Sequence, residues 1–150
     1  MMMRRRNVVV LLVVTAALVG AEVSRVVIPS LPPSRYYIHI VNRLSNLGTL
    51  AHCQSKDDDL GYHHLLNRGD EFQWNFKVNF WRTTLFWCRI ERPDGYVAFE
   101  VFWPEKKNRW LRDRCGSQGI CIWTAKDDGI YLRNMPINVD EFVHKWIITR

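Results

Sequence analysis

The middle of the chain alternates apolar and polar residues at every second position, which is the period of a β-strand with one buried face. The alternation is cleanest at residues 71–76, where Phe72, Trp74 and Phe76 share one face and polar residues occupy the other. Further strand-like segments cover residues 36–42, 50–56, 83–92, 96–103, 119–125, 129–133 and 139–148. We therefore predict seven or eight short strands and no long helix. A short helix would also fit the last segment, but its alternation favours a strand.

Turn-forming residues separate these segments. Pro93-Asp94-Gly95 is typical of a hairpin turn, because proline fixes φ at one corner and glycine accepts a positive φ at another. Residues 105–114 are rich in charge and are predicted to form a loop. Short strands with frequent turns indicate an all-β fold, either a β-sandwich or a small closed barrel. The 7 tryptophans and 7 phenylalanines can fill the core of either fold.

The first residues have the three-part pattern of a secretory signal peptide. Arg4, Arg5 and Arg6 precede twelve residues, 8–19, that are apolar except for one threonine, and small residues end the segment at Ala21. A membrane anchor is the alternative, but it needs roughly 20 apolar residues; a buried core helix would leave the arginines unexplained. We predict a signal peptide at residues 1–21, an extended leader at 22–35 and one domain at 36–150. Removal of the signal peptide takes away three arginines and no acid, so the formal net charge falls from +6 to +3. Such a mildly basic, exported protein gives no indication of nucleic-acid binding.

The four cysteines, Cys53, Cys88, Cys115 and Cys121, all lie in the predicted domain. An even number in an exported chain indicates two disulfides, and the spacing does not fit a zinc site. Three pairings are possible. We favour Cys53–Cys121 with Cys88–Cys115, because Cys53 and Cys121 each precede a Lys-Asp-Asp turn and would then occupy equivalent positions.

Those two turns belong to the most distinctive motifs of the chain. The first motif is His-Cys-Gln-Ser-Lys-Asp-Asp-Asp-Leu-Gly at residues 52–61, and the second is Lys-Asp-Asp-Gly-Ile-Tyr at 126–131. Together with the Gly-Asp-Glu-Phe-Gln-Trp-Asn-Phe segment at 69–76, Thr-Leu-Phe-Trp-Cys at 84–88 and Cys-Ile-Trp at 121–123, they resemble the plant S-protein homologues. This is the family of small secreted proteins named after the poppy-type self-incompatibility stigma proteins. The residues that carry the resemblance, besides the cysteines, are His52, Ser55, Lys56, Asp57, Asp58, Asp59, Leu60, Gly61, Trp74, Trp123, Asp127, Asp128 and Gly129.

The resemblance covers about residues 36–148 and implies a secreted β-sandwich with two disulfides. Founders of the family are pistil ligands that cognate pollen recognises, which leads to rejection of self pollen. The resemblance therefore implies an extracellular ligand in plant cell–cell recognition, with a cell-surface receptor protein as its partner. We expect this protein to be a monomer with no cofactor, metal or catalytic activity. The alternative is a secreted defence or toxin-like protein that acts on membranes or cell walls.

The polar motif residues also admit chemical interpretations. His52 and Ser55 would suit a hydrolase, but no Gly-x-Ser-x-Gly elbow is present, and a secreted plant ribonuclease would carry a His-Gly-Leu-Trp-Pro type of motif that is absent here. Asp57 to Asp59 could ligate calcium, although consecutive side chains on an extended chain diverge and no EF-hand spacing exists. We interpret the aspartates instead as turn residues whose carboxylates accept hydrogen bonds from nearby backbone N–H groups.

The basic run at residues 106–114 is the candidate partner surface. It places an aromatic side chain among five cations, and its members are Lys106, Lys107, Arg109, Trp110, Arg112 and Arg114. Tryptophan and arginine are enriched at the energetic centres of protein interfaces. A solvated loop with Trp110 folded into the core is the alternative.

Overall fold

The computed structural model describes residues 31–150. The predicted signal peptide and the leader as far as residue 30 lie outside the described residues. Within the described part, the elements in chain order are β1 (Arg35–Asn42), β2 (Thr49–Ser55), β3 (Asp59–Leu65), β4 (Glu71–Lys77), β5 (Phe86–Arg92), β6 (Gly95–Phe102), α1 (Trp110–Cys115), β7 (Ile120–Lys126), β8 (Gly129–Asn134), β9 (Val139–Lys145) and β10 (Ile147–Ile148).

The strands form two five-stranded sheets, so the predicted all-β sandwich is confirmed. One sheet has the order β4-β1-β7-β8-β9 and the other has the order β10-β6-β5-β2-β3. Neighbouring strands are antiparallel except for β1 and β7, which are parallel. The last segment is a strand as predicted, but it is divided. The buried Trp146 separates β9, in the first sheet, from β10, in the second.

The core lies between the sheets and is built by the predicted alternation. In β1, Tyr36, Ile38 and Ile40 point inward, and in β5 the inward residues are Phe86, Cys88 and Ile90. The largest fully buried side chain, Trp123 of β7, donates its indole N–H to the carbonyl of Val101 in β6 at 3.0 Å. This hydrogen bond links the two sheets and satisfies the one polar atom of the side chain.

The disulfide pairing favoured from the sequence is wrong. Cys53 is bonded to Cys88, and Cys115 to Cys121. Cys53 and Cys88 lie directly opposite each other on the antiparallel neighbours β2 and β5, with their Cα atoms 4.1 Å apart. The two Lys-Asp-Asp turns are not equivalent, because the first follows β2 and the second follows β7, which belong to different sheets.

One further expectation about local structure is wrong, and one strand was not predicted. The charged stretch predicted to be a loop contains α1, whose last residue, Cys115, is bonded to Cys121 near the start of β7. The end of the first motif and the residues that follow it form an unpredicted strand, β3, at the edge of its sheet. Across residues 31–150, no helix has the length and apolar character needed to span a lipid bilayer.

Candidate functional site

The first motif closes the hairpin between β2 and β3. The Ser55 hydroxyl accepts hydrogen bonds from the backbone N–H groups of Asp57 at 3.3 Å and Asp58 at 3.0 Å, and the Ser55 N–H donates to the Asp58 carbonyl at 2.7 Å. The serine oxygen therefore organises the turn. Lys56, Asp57 and Asp58 are exposed at its tip.

His52 and Asp59 brace the same hairpin from its strands. Their side chains are 2.8 Å apart, between the His52 Nε2 and Asp59 Oδ1 atoms, and Asp59 also accepts the backbone N–H of Gly61 at 2.9 Å. The Gly61 hydrogen bond and then the His52 contact hold the pKa of the Asp59 carboxyl below its usual value. Gly61 itself has a φ of 80°, a conformation that glycine adopts without steric cost. His52 and Ser55 thus serve the turn, whereas Leu60, the remaining member of this motif, is half-buried against the core.

The histidines after the first motif diverge, as the extended chain requires. His63 contacts the Leu60 carbonyl at 2.7 Å and stacks on Phe72 with 3.5 Å between ring centroids, while His64 is exposed. Within residues 31–150, no group of three or more histidine, cysteine or acidic side chains is arranged to hold a metal ion.

The second motif closes the hairpin between β7 and β8 and fastens it to two other parts of the chain. Asp127 accepts hydrogen bonds from the Ser45 hydroxyl and, at 2.9 Å, from the Ser45 N–H in the loop after β1. These bonds hold the pKa of the Asp127 carboxyl below its usual value. Lys126 lies 2.8 Å from Asp140 of β9, and Asp128 accepts the Tyr131 hydroxyl at 2.6 Å.

Gly129 is required in the second motif by a close approach of two strands. A Cβ atom built at this position would lie 2.3 Å from the carbonyl oxygen of His144 on the neighbouring strand β9. Any side chain would therefore push β8 and β9 apart. Ser55 and Asp59 of the first turn and Asp127, Asp128 and Gly129 of the second therefore share one role, which is to fix the ends of hairpins.

The two tryptophans that carry the resemblance belong to the core. Trp123 is fully buried, whereas Trp74 of β4 is half-buried and packs between Phe72 and Phe86, at 5.2 and 5.6 Å between ring centroids.

The basic run separates into an exposed part and an inner part. Lys106, Lys107 and Arg109 are exposed. Arg112 is 8% exposed and its guanidinium lies 3.1 Å from Glu105. The prediction that Arg112 belongs to the partner surface is therefore wrong. Burial of an arginine requires such a partner, which the sequence pattern alone did not identify.

Trp110 and Arg114 are also partly buried. Arg114 is half-buried, pairs with Glu141 and lies over the Trp110 ring at 4.0 Å. Trp110 in turn stacks on Trp103 with 6.0 Å between ring centroids. The candidate partner surface is thereby reduced to the three exposed cations, Lys106, Lys107 and Arg109, which we call the cationic patch.

Sequence reasoning missed two features. Asn42 is completely buried and uses its whole amide: Nδ2 donates to the carbonyls of Leu47 and Leu65, both at 3.0 Å, and Oδ1 accepts the Leu44 N–H at 3.0 Å. The signal in the sequence was a polar residue that directly follows the apolar run of β1. The second missed feature is a pair of exposed aromatic residues, Phe80 and Trp81, in the loop between β4 and β5.

The architecture is that of a small disulfide-bonded β-sandwich, and a solved structure shares it. This is the structure of the plant self-incompatibility protein homologues, which are described as a widespread family of small, highly stable, secreted proteins. It superposes with a TM-score of 0.57 at 21% identity and covers 75% of this chain and 95% of that chain, which establishes similarity of fold.

Sequence comparison then defines the family. The family model described as plant self-incompatibility protein S1 matches residues 37–146. S-protein homolog 1 of Arabidopsis thaliana is 40% identical over 131 residues, which are 86% of this chain and 82% of that protein. S-protein homolog 74 of Arabidopsis thaliana is 39% identical over 122 residues, or 81% and 76% of the two chains. The chain therefore belongs to the plant self-incompatibility protein S1 family. Membership confirms the resemblance and, with it, the prediction of a secreted, extracellular protein.

Proposed function

We propose that this protein is an extracellular ligand in plant cell–cell recognition, of the kind used in self-incompatibility, and that it binds a receptor protein at the cell surface as a monomer. The family supports this proposal, because its model carries the name of a self-incompatibility protein. The structure supports it through a scaffold in which the two disulfides and the hairpin motifs fix the positions of the surface loops.

The cationic patch is the observation that carries the proposal. Lys107 pairs with Glu100 at the surface, and the exposed Arg109 lies 3.4 Å from the half-buried Glu105, which also pairs with Arg112. An exposed ion pair such as Lys107–Glu100 contributes little free energy, so a receptor carboxylate can replace Glu100 at small cost. Trp103 and Trp110 stack directly below this segment, which gives the cations a rigid apolar base.

We also propose that the protein has no catalytic role. The Ser55 oxygen accepts two backbone N–H groups of its own turn, and His52 is engaged with Asp59. Within residues 31–150, His52 and Ser55 are not hydrogen-bonded to each other, so the serine lacks the adjacent base that would activate it for attack.

Binding of the labelled, secreted protein to intact plant cells tests the role of the cationic patch. In one variant, Lys106, Lys107 and Arg109 are all replaced by glutamine. Because exposed charges are worth up to about 1 kcal/mol each, we expect binding to weaken by roughly tenfold or more.

The matched control replaces three exposed cations elsewhere, Lys56, Lys145 and Arg150, by glutamine and so removes the same charge. We expect this control to bind like the wild type. Equal weakening of both variants would show a general effect of net charge and would contradict a specific receptor surface at the cationic patch.

A further inference from the structure

The loop between β4 and β5 exposes two adjacent aromatic side chains, which we call the aromatic tip. Phe80 is 88% exposed and Trp81 is 76% exposed, and their rings meet edge to face with 5.1 Å between centroids. By contrast, Trp123 is completely buried. Exposed apolar side chains of this size in a folded protein mark a surface that contacts apolar groups of another molecule or of a membrane.

The loop holds the aromatic tip through its own hydrogen bonds. The Asn79 side chain donates to the Thr83 hydroxyl and accepts the Thr83 N–H, both at 2.8 Å, while its backbone N–H donates to the Thr84 hydroxyl at 3.0 Å. Arg82 has a φ of 53°, in the left-handed region that is uncommon for residues other than glycine. An ordered turn therefore presents the rings, so less conformational entropy is lost when they bind.

The aromatic tip has basic residues beside it. Residues 72–90 include three basic residues and no aspartate or glutamate. Arg82 follows the tip directly, Lys77 ends β4 just before the loop, and the Lys106 ammonium donates to the carbonyl of Trp81 at 3.2 Å. Glu105, the acidic residue lining the adjoining cleft of about 370 Å³, is engaged by Arg109 and Arg112.

We propose that the aromatic tip inserts into the surface of a lipid bilayer that carries anionic headgroups. Tryptophan favours the boundary between headgroups and acyl chains, and each cation near an anionic surface strengthens binding. Stable attachment takes two such signals, an apolar insertion and a basic patch, and the loop combines both. This inference does not depend on the proposed receptor.

A membrane fits the aromatic tip better than a protein does. Two side chains offer far less than the roughly 800 Å² that each partner buries in a stable protein interface. The residues next to the tip in the chain, Asn79, Arg82 and Thr83, are polar. The apolar residues beside Phe80, among them Pro33, Val78 and Pro104, line a cleft and do not form a flat patch. A small exposed apolar point with basic residues beside it needs no complementary shape in its partner.

Sedimentation with vesicles tests this proposal. The probes are vesicles of phosphatidylcholine alone and vesicles with one third phosphatidylserine. We expect the wild-type protein to sediment with the anionic vesicles and to bind the neutral ones much more weakly. Replacement of Phe80 and Trp81 by serine should lower the partition coefficient at least about tenfold. Replacement of Lys77 and Arg82 by glutamine should lower it roughly thirtyfold on anionic vesicles alone.

The control variant replaces two exposed apolar residues elsewhere, Leu66 and Ile137, by serine. It should bind anionic vesicles like the wild type, and urea unfolding should show that every variant retains its fold. Failure of the wild type to bind, or equal loss in the control, would overturn the proposal. If the wild type does not bind vesicles but loss of the aromatic tip abolishes binding to cells, the tip contacts a protein instead.

Discussion

Removing each disulfide separately should destabilise the protein by clearly different amounts. Cys53 and Cys88 are 35 residues apart, whereas Cys115 and Cys121 are 6 apart. In the chain-entropy model, closing these loops in the unfolded state contributes about 4 kcal/mol and about 2 kcal/mol, respectively. All four sulfur-bearing side chains are buried, so the packing lost on replacement by alanine is similar in both variants and the difference reports the loops.

Equilibrium unfolding in urea at pH 7 measures this difference. With a denaturant slope of about 2 kcal/mol per molar, the midpoint of the Cys53→Ala/Cys88→Ala variant should fall about 1 M further than that of Cys115→Ala/Cys121→Ala. Equal losses of stability in the two variants, or a larger loss when the Cys115–Cys121 bond is removed, would refute the dependence on loop length.

A crossed variant tests the pairing itself. Cys53→Ala/Cys121→Ala removes one cysteine from each observed disulfide, so Cys88 and Cys115 should both react with a thiol reagent in denaturant. Two reactive thiols are the expected result. None would instead indicate the pairing that we favoured from the sequence, in which Cys88 and Cys115 are bonded to each other.

Three further predictions concern single positions. Asn42→Ala leaves buried carbonyls without a donor and should cost about 3 kcal/mol in urea unfolding, whereas Asn46→Ala, in the exposed loop, should cost almost nothing. Gly129→Ala forces a Cβ atom against the neighbouring strand and should lower the unfolding free energy by about 2 kcal/mol; an unchanged midpoint would contradict the close approach. Burial lowers the pKa of His144 below 6.5. Because the unfolded state then binds more protons than the folded state, the unfolding free energy is highest above pH 6.5 and decreases as the pH falls through the folded pKa. His144→Gln should therefore remove part of the loss of stability below pH 6.5, whereas the exposed His64→Gln variant should follow the wild type.

The sequence pattern predicted the strands that have one buried face. In β4, Phe72, Trp74 and Phe76 are less exposed than the residues between them, as the alternation indicated. The edge strand β3 was missed because Leu65 is its one buried residue, so burial imposes no alternation on it. A strand with one face against the core, such as the edge strand β4, can therefore be predicted from periodicity, whereas a strand with both faces near water, such as β3, cannot.

Features that depend on contacts between distant residues were not predictable in this way. The Cys53–Cys88 bond follows from the register of β2 on β5, which one sequence does not define. Burial of Arg112 follows from its pairing with Glu105. Exposure of Phe80 and Trp81 is the opposite of what their apolar character predicts, and such a departure from the general rule is expected at a functional surface.

The central claim is tested most directly by the binding of the labelled, secreted protein to intact plant cells, pollen included. Binding is measured before and after mild protease treatment of the cells. We predict saturable binding that unlabelled protein displaces and that protease treatment of the cells removes. The weaker contact of the aromatic tip with anionic vesicles should survive in the absence of any protein. Binding to cells that does not saturate, or that protease leaves unchanged, would contradict a receptor-bound ligand.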